Sequence, residues 1–328
     1  MLKRYSFFKA FSIVVLITLI SKLLGFVREA IVAAYFGTSV AADMFYVAFI
    51  IPTTAFTVIA STIQGRVLPL FIEQGKDSIK ARQLLQSFNQ LFIFVSIVMT
   101  LILILFMFPL LRMMAPGFSH AEVSDTVILA LIMIPLLIIM TITTMTRVVY
   151  HAYESFAIPA YGILINNIAV ILSIVLLFPF LDVYSLAIGV TIGGLIQLIY
   201  QYLLLPKNLL PFSKWKKDYF KSSLVMLKPM IPIVVAAIAL QLNVIVYRMV
   251  ASFLHEGSIA ALNYSYRLLW IPLSILLIPI STIFYPKLSN AYKKRIKDSY
   301  EQLYQNGLKV MLLLATPTML VMIFESST

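Results

Sequence analysis

Cysteine is absent from the 328 residues, which excludes disulfides, thiolate metal sites and cysteine nucleophiles. Histidine is nearly absent as well: His120, His151 and His255 are too scattered to suggest a metal cluster. Charge is scarce, at 12% of residues against about 25% in an ordinary soluble domain. Acidic groups are the scarcest charges, 13 against 25 Lys and Arg, leaving a formal charge of +12. What the chain has instead is apolar surface: 61% hydrophobic residues and a mean hydropathy of +0.98. No water-soluble fold of this size hides that much, so the solvent is a bilayer. The positive excess then belongs to loop topology, because membrane proteins concentrate Lys and Arg in cytoplasmic loops. It calls for no nucleic acid.

A transmembrane helix needs about 20 mainly apolar residues. Nine stretches qualify, near 7–35, 40–64, 87–114, 124–149, 157–180, 184–205, 224–254, 259–286 and 304–324. The first follows Lys3 and Arg4 as a signal peptide would, but no small-residue cleavage site follows the apolar run. It reads as a retained helix. With the N-terminus inside, 20 of the 25 cations fall on inner segments, so the expected topology is N-inside. From Ser213 to Lys221, Trp215, Tyr219 and Phe220 alternate with lysines. That stretch is either a helix lying on the inner membrane surface or a solvated basic loop.

An offset of 220 superimposes Arg28 on Arg248, Gly37 on Gly257, Ala41 on Ala261, Tyr46 on Tyr266 and Pro52 on Pro272, without a gap. Asp43 falls on Asn263. The copies begin at the first and seventh spans, so an even offset gives them the same orientation, as in transporters built from parallel repeats. The expected fold is an all-α polytopic membrane protein of about nine transmembrane helices. Residues 1–210 form a six-helix lobe, 211–223 a cytoplasmic amphipathic linker, and 224–328 the first three helices of an incomplete second lobe. A second lobe of equal size needs roughly another hundred residues, so the chain reads as a fragment or the product of a shortened frame.

The segment SKLLGFVREAIVAAYFGTSVAADMFYVAFIIP, residues 21–52, closely resembles the start of the MurJ/MviN lipid II flippase family. Its wider superfamily, called MOP, includes polysaccharide flippases and multidrug exporters. APGF at 115–118, IPAYGILINNIAVI at 158–171, GVTIGGLIQLIYQ at 189–201 and ASFLHEGSIAALNYSYRLLWIP at 251–272 resemble the family in the same order. The resemblance implies a two-lobed bundle of about fourteen helices and alternating access around a cationic cavity. It also implies a groove for the lipid tail, built by helices outside this chain. One departure concerns the cargo. After the Pro in the second helix, family members usually carry an Arg-Arg pair and then Ala-Glu-Gly, whereas Thr53 to Thr62 here contain neither the pair nor the Glu.

An ionisable group at mid-membrane costs about 2.5–3.5 kcal/mol on insertion scales, so each is a functional candidate. By resemblance, Arg28 and Asp43 match positions regarded as essential, and Lys22 matches one usually basic. Arg267 matches the Arg of the family's NYAxRL segment, here Asn263-Tyr264-Ser265-Tyr266-Arg267, and Arg248 matches a recurring Arg preceded here by Tyr247. These five form the expected substrate-binding set. Such cations suit a lipid-linked diphosphate, since Arg offers paired donors and Lys a point charge. Structural alternatives stand beside each role. Arg28 and Asp43 could form an ion pair between the first two helices, fixed or opening as a gate. Lys22, read as near a helix end, could snorkel. Glu29 reads as the partner of a neighbouring cation. Asn166, Asn167, Gln197, Gln241 and Asn243 read as interhelical hydrogen-bonding groups, and Gly193-Gly194 as a site of close helix packing.

The function these observations favour is a flippase carrying a polyprenyl-diphosphate-linked saccharide from inner to outer leaflet of a bacterial cell membrane. No cofactor or metal is expected, and the partners are that saccharide lipid and anionic membrane lipids. An exporter of amphipathic solutes is the alternative within transport, disfavoured by Lys22, Arg28 and Arg267 against Asp43 alone. A membrane-embedded transferase would need clustered carboxylates or histidines, which the sequence does not show. An inactive scaffold related to the transporters is the third class.

Overall fold

A computed structural model describes residues 7–206, 228–272 and 297–325, together with Phe220, Ser223, Met226 and Leu288. Its helices are α1 (Phe7–Phe36), α2 (Val40–Thr62), α3 (Leu68–Glu73), α4 (Ile79–Leu105), α5 (Met107–Met114), α6 (His120–Met133), α7 (Leu136–Ala152), α8 (Ala157–Leu181), α9 (Tyr184–Leu203), α10 (Ile231–Ala251), α11 (Ser258–Pro272) and α12 (Lys297–Glu325). The protein is an all-α polytopic membrane protein. Among the described residues, six helical stretches have the length and composition to cross a bilayer: Val40–Glu73, Ile79–Leu105, His120–Ala152, Ala157–Leu181, Tyr184–Leu203 and Ile231–Ala251. They correspond in order to the second through seventh expected spans. The second half of the eighth span and most of the basic stretch at 213–221 lie outside the described residues.

The helices outrun the apolar stretches for local reasons. α4 begins at Ile79, well before residue 87, because Ser78 caps it: its hydroxyl accepts the Ala81 N–H at 3.0 Å. Lys80 and Arg82 therefore ride on its first turns. α2 continues past Thr62 through a π-turn, Ile63–Val67, in which Leu68 N–H reaches back to Ile63 C=O. Pro69 has no N–H to offer, and such wide turns occur where the regular ladder is interrupted. α1 also corrects an expectation. Lys22 lies midway along this 30-residue helix, exposed, and not near an end.

Residues Met1–Ala261 form one compact unit and Leu262–Thr328 a second. In the first, α1 packs along α8, α8 along α9, and α2 against α6, α7 and α10. α1 and α8 run parallel: Ser21 Oγ donates to Ala160 C=O at 3.3 Å, and seven residues on Arg28 reaches Asn167. α2 and α10 run antiparallel. They touch at Tyr46 and Arg248, at Thr54 and Gln241, whose side chains bond at 3.3 Å, and near Gly65 and Ile233. Apolar exclusion from water does not drive such contacts inside a bilayer, so close packing and interhelical hydrogen bonds hold them. Asn166 accordingly bonds Gln197 at 3.2 Å, and Gly193 brings α9 against the Asn166 carbonyl. The second unit, as far as it is described, comprises the rest of α11 and the long helix α12.

Where the α3–α4 and α7–α8 turns meet, Tyr153 O–H donates to Asp77 Oδ1 at 2.7 Å, and Lys76 lies 4.9 Å over the Tyr153 ring. Lys76 Nζ also reaches the Ala152 carbonyl at the end of α7. Burial first, then the Asp77 bond and charge, push the Tyr153 hydroxyl up to about 12. A raised value means the bond is intact below the phenol's ordinary value near 10 and fails as pH climbs toward 12. Thermal stability should therefore decline above about pH 10. Tyr153→Phe should lower stability at pH 8 by no more than about 1 kcal/mol, this being an exposed bond, and flatten that decline. An unchanged alkaline slope in the variant would assign the loss to other groups.

Candidate functional site

By connectivity, the turns at Gly37–Ser39, Ala115–Ser119 and Ser252–Gly257 share one end of the first unit, and charged groups gather there. At one pair of positions related by the offset the backbone conformation agrees. Gly37 and Gly257, equivalent by the offset of 220, both adopt positive φ, +55° and +82°. The next step differs between the copies. Ser39 caps its own helix, its hydroxyl accepting the Ala42 N–H at 3.3 Å. α11 begins two residues earlier in that register, at Ser258, and its cap position is Gly257, which has no side chain to offer. The free N–H groups at the start of α11 are instead met from α2: the Asp43 carboxylate accepts Gly257 N–H at 2.8 Å and Ala260 N–H at 2.6 Å. Asp43 is 4% exposed. A carboxylate at a helix N-terminus gains both the bonds and the favourable end of the helix dipole.

Contacts around this cap leave no spare room. A Cβ on Gly257 would lie 2.1 Å from Thr38 C=O, and one on Gly117 only 1.8 Å from Ser252 C=O. Gly117 N–H also donates to Ser252 Oγ at 3.2 Å. Arg248, 8% exposed in the last turn of α10, donates to the Tyr46 carbonyl. Tyr46 links onward, its hydroxyl lying 3.5 Å from Glu29 Oε2.

Arg28 stands two turns before the end of α1 with its side chain 20% exposed. Its Nε and Nη2 both donate to Glu29 Oε1, at 3.2 and 2.5 Å, and its Nη1 to Asn167 Oδ1 at 3.0 Å. The Arg28–Asp43 ion pair entertained from sequence is thus replaced. Arg28 pairs with Glu29, as Glu29 was read, and Asp43 is engaged with backbone N–H groups of α11. Lys22 is exposed on α1, and Arg267 is partly buried on α11. The structure therefore joins Arg28 to Arg248 through Glu29 and Tyr46, and places Asp43 one turn from Tyr46. His120 and His151 pack on the rings of Phe108 and Phe156.

The parts missed by sequence reasoning are backbone groups: Tyr46 C=O and the N–H groups of Gly257 and Ala260. One signal could have found them: a glycine, Gly257, precedes α11 and brings no side-chain acceptor for the first N–H groups of that helix.

The described residues form an all-α bundle whose spanning-length helices are apolar, with a few charged side chains along them. The chain matches the family profile described as lipid II flippase MurJ over residues 32–328. It is 30% identical over 321 residues to the probable lipid II flippase MurJ of Buchnera aphidicola subsp. Acyrthosiphon pisum, covering 94% of this chain and 62% of that protein. It is also 30% identical over 324 residues to the lipid II flippase MurJ of Burkholderia cenocepacia, with the same coverages. Among solved structures, a lipid II flippase MurJ in an inward closed conformation aligns with a TM-score of 0.81 at 23% identity, over 95% of this chain and 65% of that one. An inward-facing multidrug resistance MATE family transporter of the MOP superfamily aligns at 0.68 with 11% identity, over 90% and 68%. The chain belongs to the lipid II flippase MurJ family. It spans about 62% of the length of the curated relatives it matches.

Proposed function

We propose that this protein moves a polyprenyl-diphosphate-linked saccharide from the inner to the outer leaflet of a bacterial cell membrane by alternating access. The observation that carries the reading is Arg28: a guanidinium on the long, mainly apolar helix α1, oriented by Glu29 and Asn167, with two N–H groups beyond those bonds. That is the chemistry of diphosphate capture without covalent catalysis. Arg28, Lys22 and Arg267 are assigned to the phosphates. Asp43 and Arg248 are assigned to the substrate path's outer closure, which they build from backbone contacts.

The distribution of 20 of 25 cations supports an N-inside orientation, which sets the Gly37 end outside and the Tyr153 end in the cytoplasm. The lysine-rich stretch around 213–221 is assigned to anionic lipids of the inner leaflet. In this scheme the Asp43 cap holds the outer end shut while cargo enters from within. Outward opening must strip two charge-assisted bonds from α11 and recover their cost from cargo binding.

The test is transport in proteoliposomes holding the purified protein and a fluorescent polyprenyl-diphosphate disaccharide. The protein should raise the fraction of outer-leaflet label accessible to an impermeant quencher, while a polyprenyl monophosphate sugar moves far less. Equal movement of both lipids, or of neither, would overturn the diphosphate reading.

A further inference from the structure

We infer that Asn167 is a positioning residue for the phosphate-binding guanidinium, holding Arg28 without neutralising it; the inference rests on the reading of Arg28 given above. A guanidinium carries five N–H donors. Glu29 takes two of them and Asn167 one, leaving one N–H on each terminal nitrogen. These remaining donors, one on each terminal nitrogen, are available to phosphate oxygens.

The amide of Asn167 has a fixed direction. Its Oδ1 accepts from Arg28, and its Nδ2 donates to the Ser21 carbonyl at 3.2 Å, in a side chain only 5% exposed. Flipping the amide would set donor against donor at Arg28 and acceptor against acceptor at Ser21. Both bonds therefore lock one rotamer. Ser21 is itself fixed, its hydroxyl bonded to Ala160, so α1 and α8 are clamped two turns below the guanidinium. The Arg28 head is thereby referenced to two helices rather than swinging on the flexible stem of one.

The chemical choice of an amide matters. Glu29 already balances the charge of Arg28. A second carboxylate at 167 would hold the guanidinium as well but make the site net negative, repelling a diphosphate. A neutral acceptor fixes geometry and leaves the attraction to the ligand intact.

The experiment measures binding of a polyprenyl diphosphate to the intact protein in nanodiscs, alongside its melting temperature. Asn167→Leu keeps the branched shape and removes the acceptor. It is expected to weaken binding about tenfold with little change in melting temperature, and to weaken it no further when Arg28 is already Ala. Asn167→Asp restores the acceptor and is expected to bind weakly too, because of its charge. Asn166→Leu, which removes the α8–α9 bond to Gln197 without touching Arg28 or Asn167, should leave binding near wild type. Asn167→Leu binding normally, or weakening binding equally in the Arg28→Ala background, would overturn the inference. Should Asn167→Leu fail to reach the membrane, normal binding by Asn167→Asp would do so. If Arg28→Ala itself binds normally, the reading of Arg28 fails first and this inference falls with it.

Discussion

Arg28→Ala is expected to abolish transport while leaving the protein in the membrane at near-normal abundance. Each charge-assisted hydrogen bond to the diphosphate is worth about 1.5–3 kcal/mol, so losing two costs at least about a hundredfold in cargo binding. The electrostatics act in the same direction. Removing Arg28 strips Glu29 of its counter-ion, turning a balanced pair into a bare negative charge facing an anion. Arg28→Lys keeps the charge but loses the fork, and should recover only part of the activity. The opposing account makes Arg28 a purely structural partner of Glu29. It would be favoured if Arg28→Ala vanished from the membrane and a second change, Glu29→Gln, brought back both abundance and transport.

Asp43→Ala should release the closure at the Gly37 end. The carboxylate serves two ends at once: it caps α11 and ties α11 to α2. The absence of cysteine makes the site easy to watch, with spin labels on Thr38→Cys and Glu256→Cys. Loss of two charge-assisted bonds should lower the closed population by tenfold or more, read as a longer distance between the labels. Asp43→Asn keeps an acceptor oxygen while removing the charge, and should restore part of the short distance. A label distance in Asp43→Ala unchanged from the wild type would show that the carboxylate is no latch.

Much of the fold was legible because bilayer thickness imposes a length on every span. Six stretches marked from hydropathy became helices close to their expected limits. The errors fell at their ends, where Ser78 capping and the π-turn before Pro69 carry helices past the apolar run. The offset of 220 pairs Gly37 with Gly257, and both adopt positive φ, a demand that few other residues meet. Partner choice was not legible. Arg28 and Asp43 are the charges that stand out in sequence, so a pair between them was a reasonable expectation. The adjacent Glu29 lies within reach of Arg28 on the same helix, and Asp43 is closer to unmet N–H groups than to any cation that sequence could name. Interhelical geometry decides such matters, and nothing in a linear pattern records that Asn167 stands beside Arg28 rather than merely within an apolar helix.

The contacts gathered at the Gly37 end are addressed largely to main chain: the Tyr46 carbonyl, the N–H groups of Gly257 and Ala260, and the backbone of Thr38 and Ser252 beside two glycines. Main-chain atoms are common to every amino acid. A partner aimed at a carbonyl or an N–H still finds it after a substitution, provided the path of the chain is kept. Side chains enter at few places: the acid at 43, the long cation at 248, the Ser252 hydroxyl that accepts from Gly117, and the bare glycines at 117 and 257. A closure specified so sparsely can persist while the helices around it drift far apart in sequence.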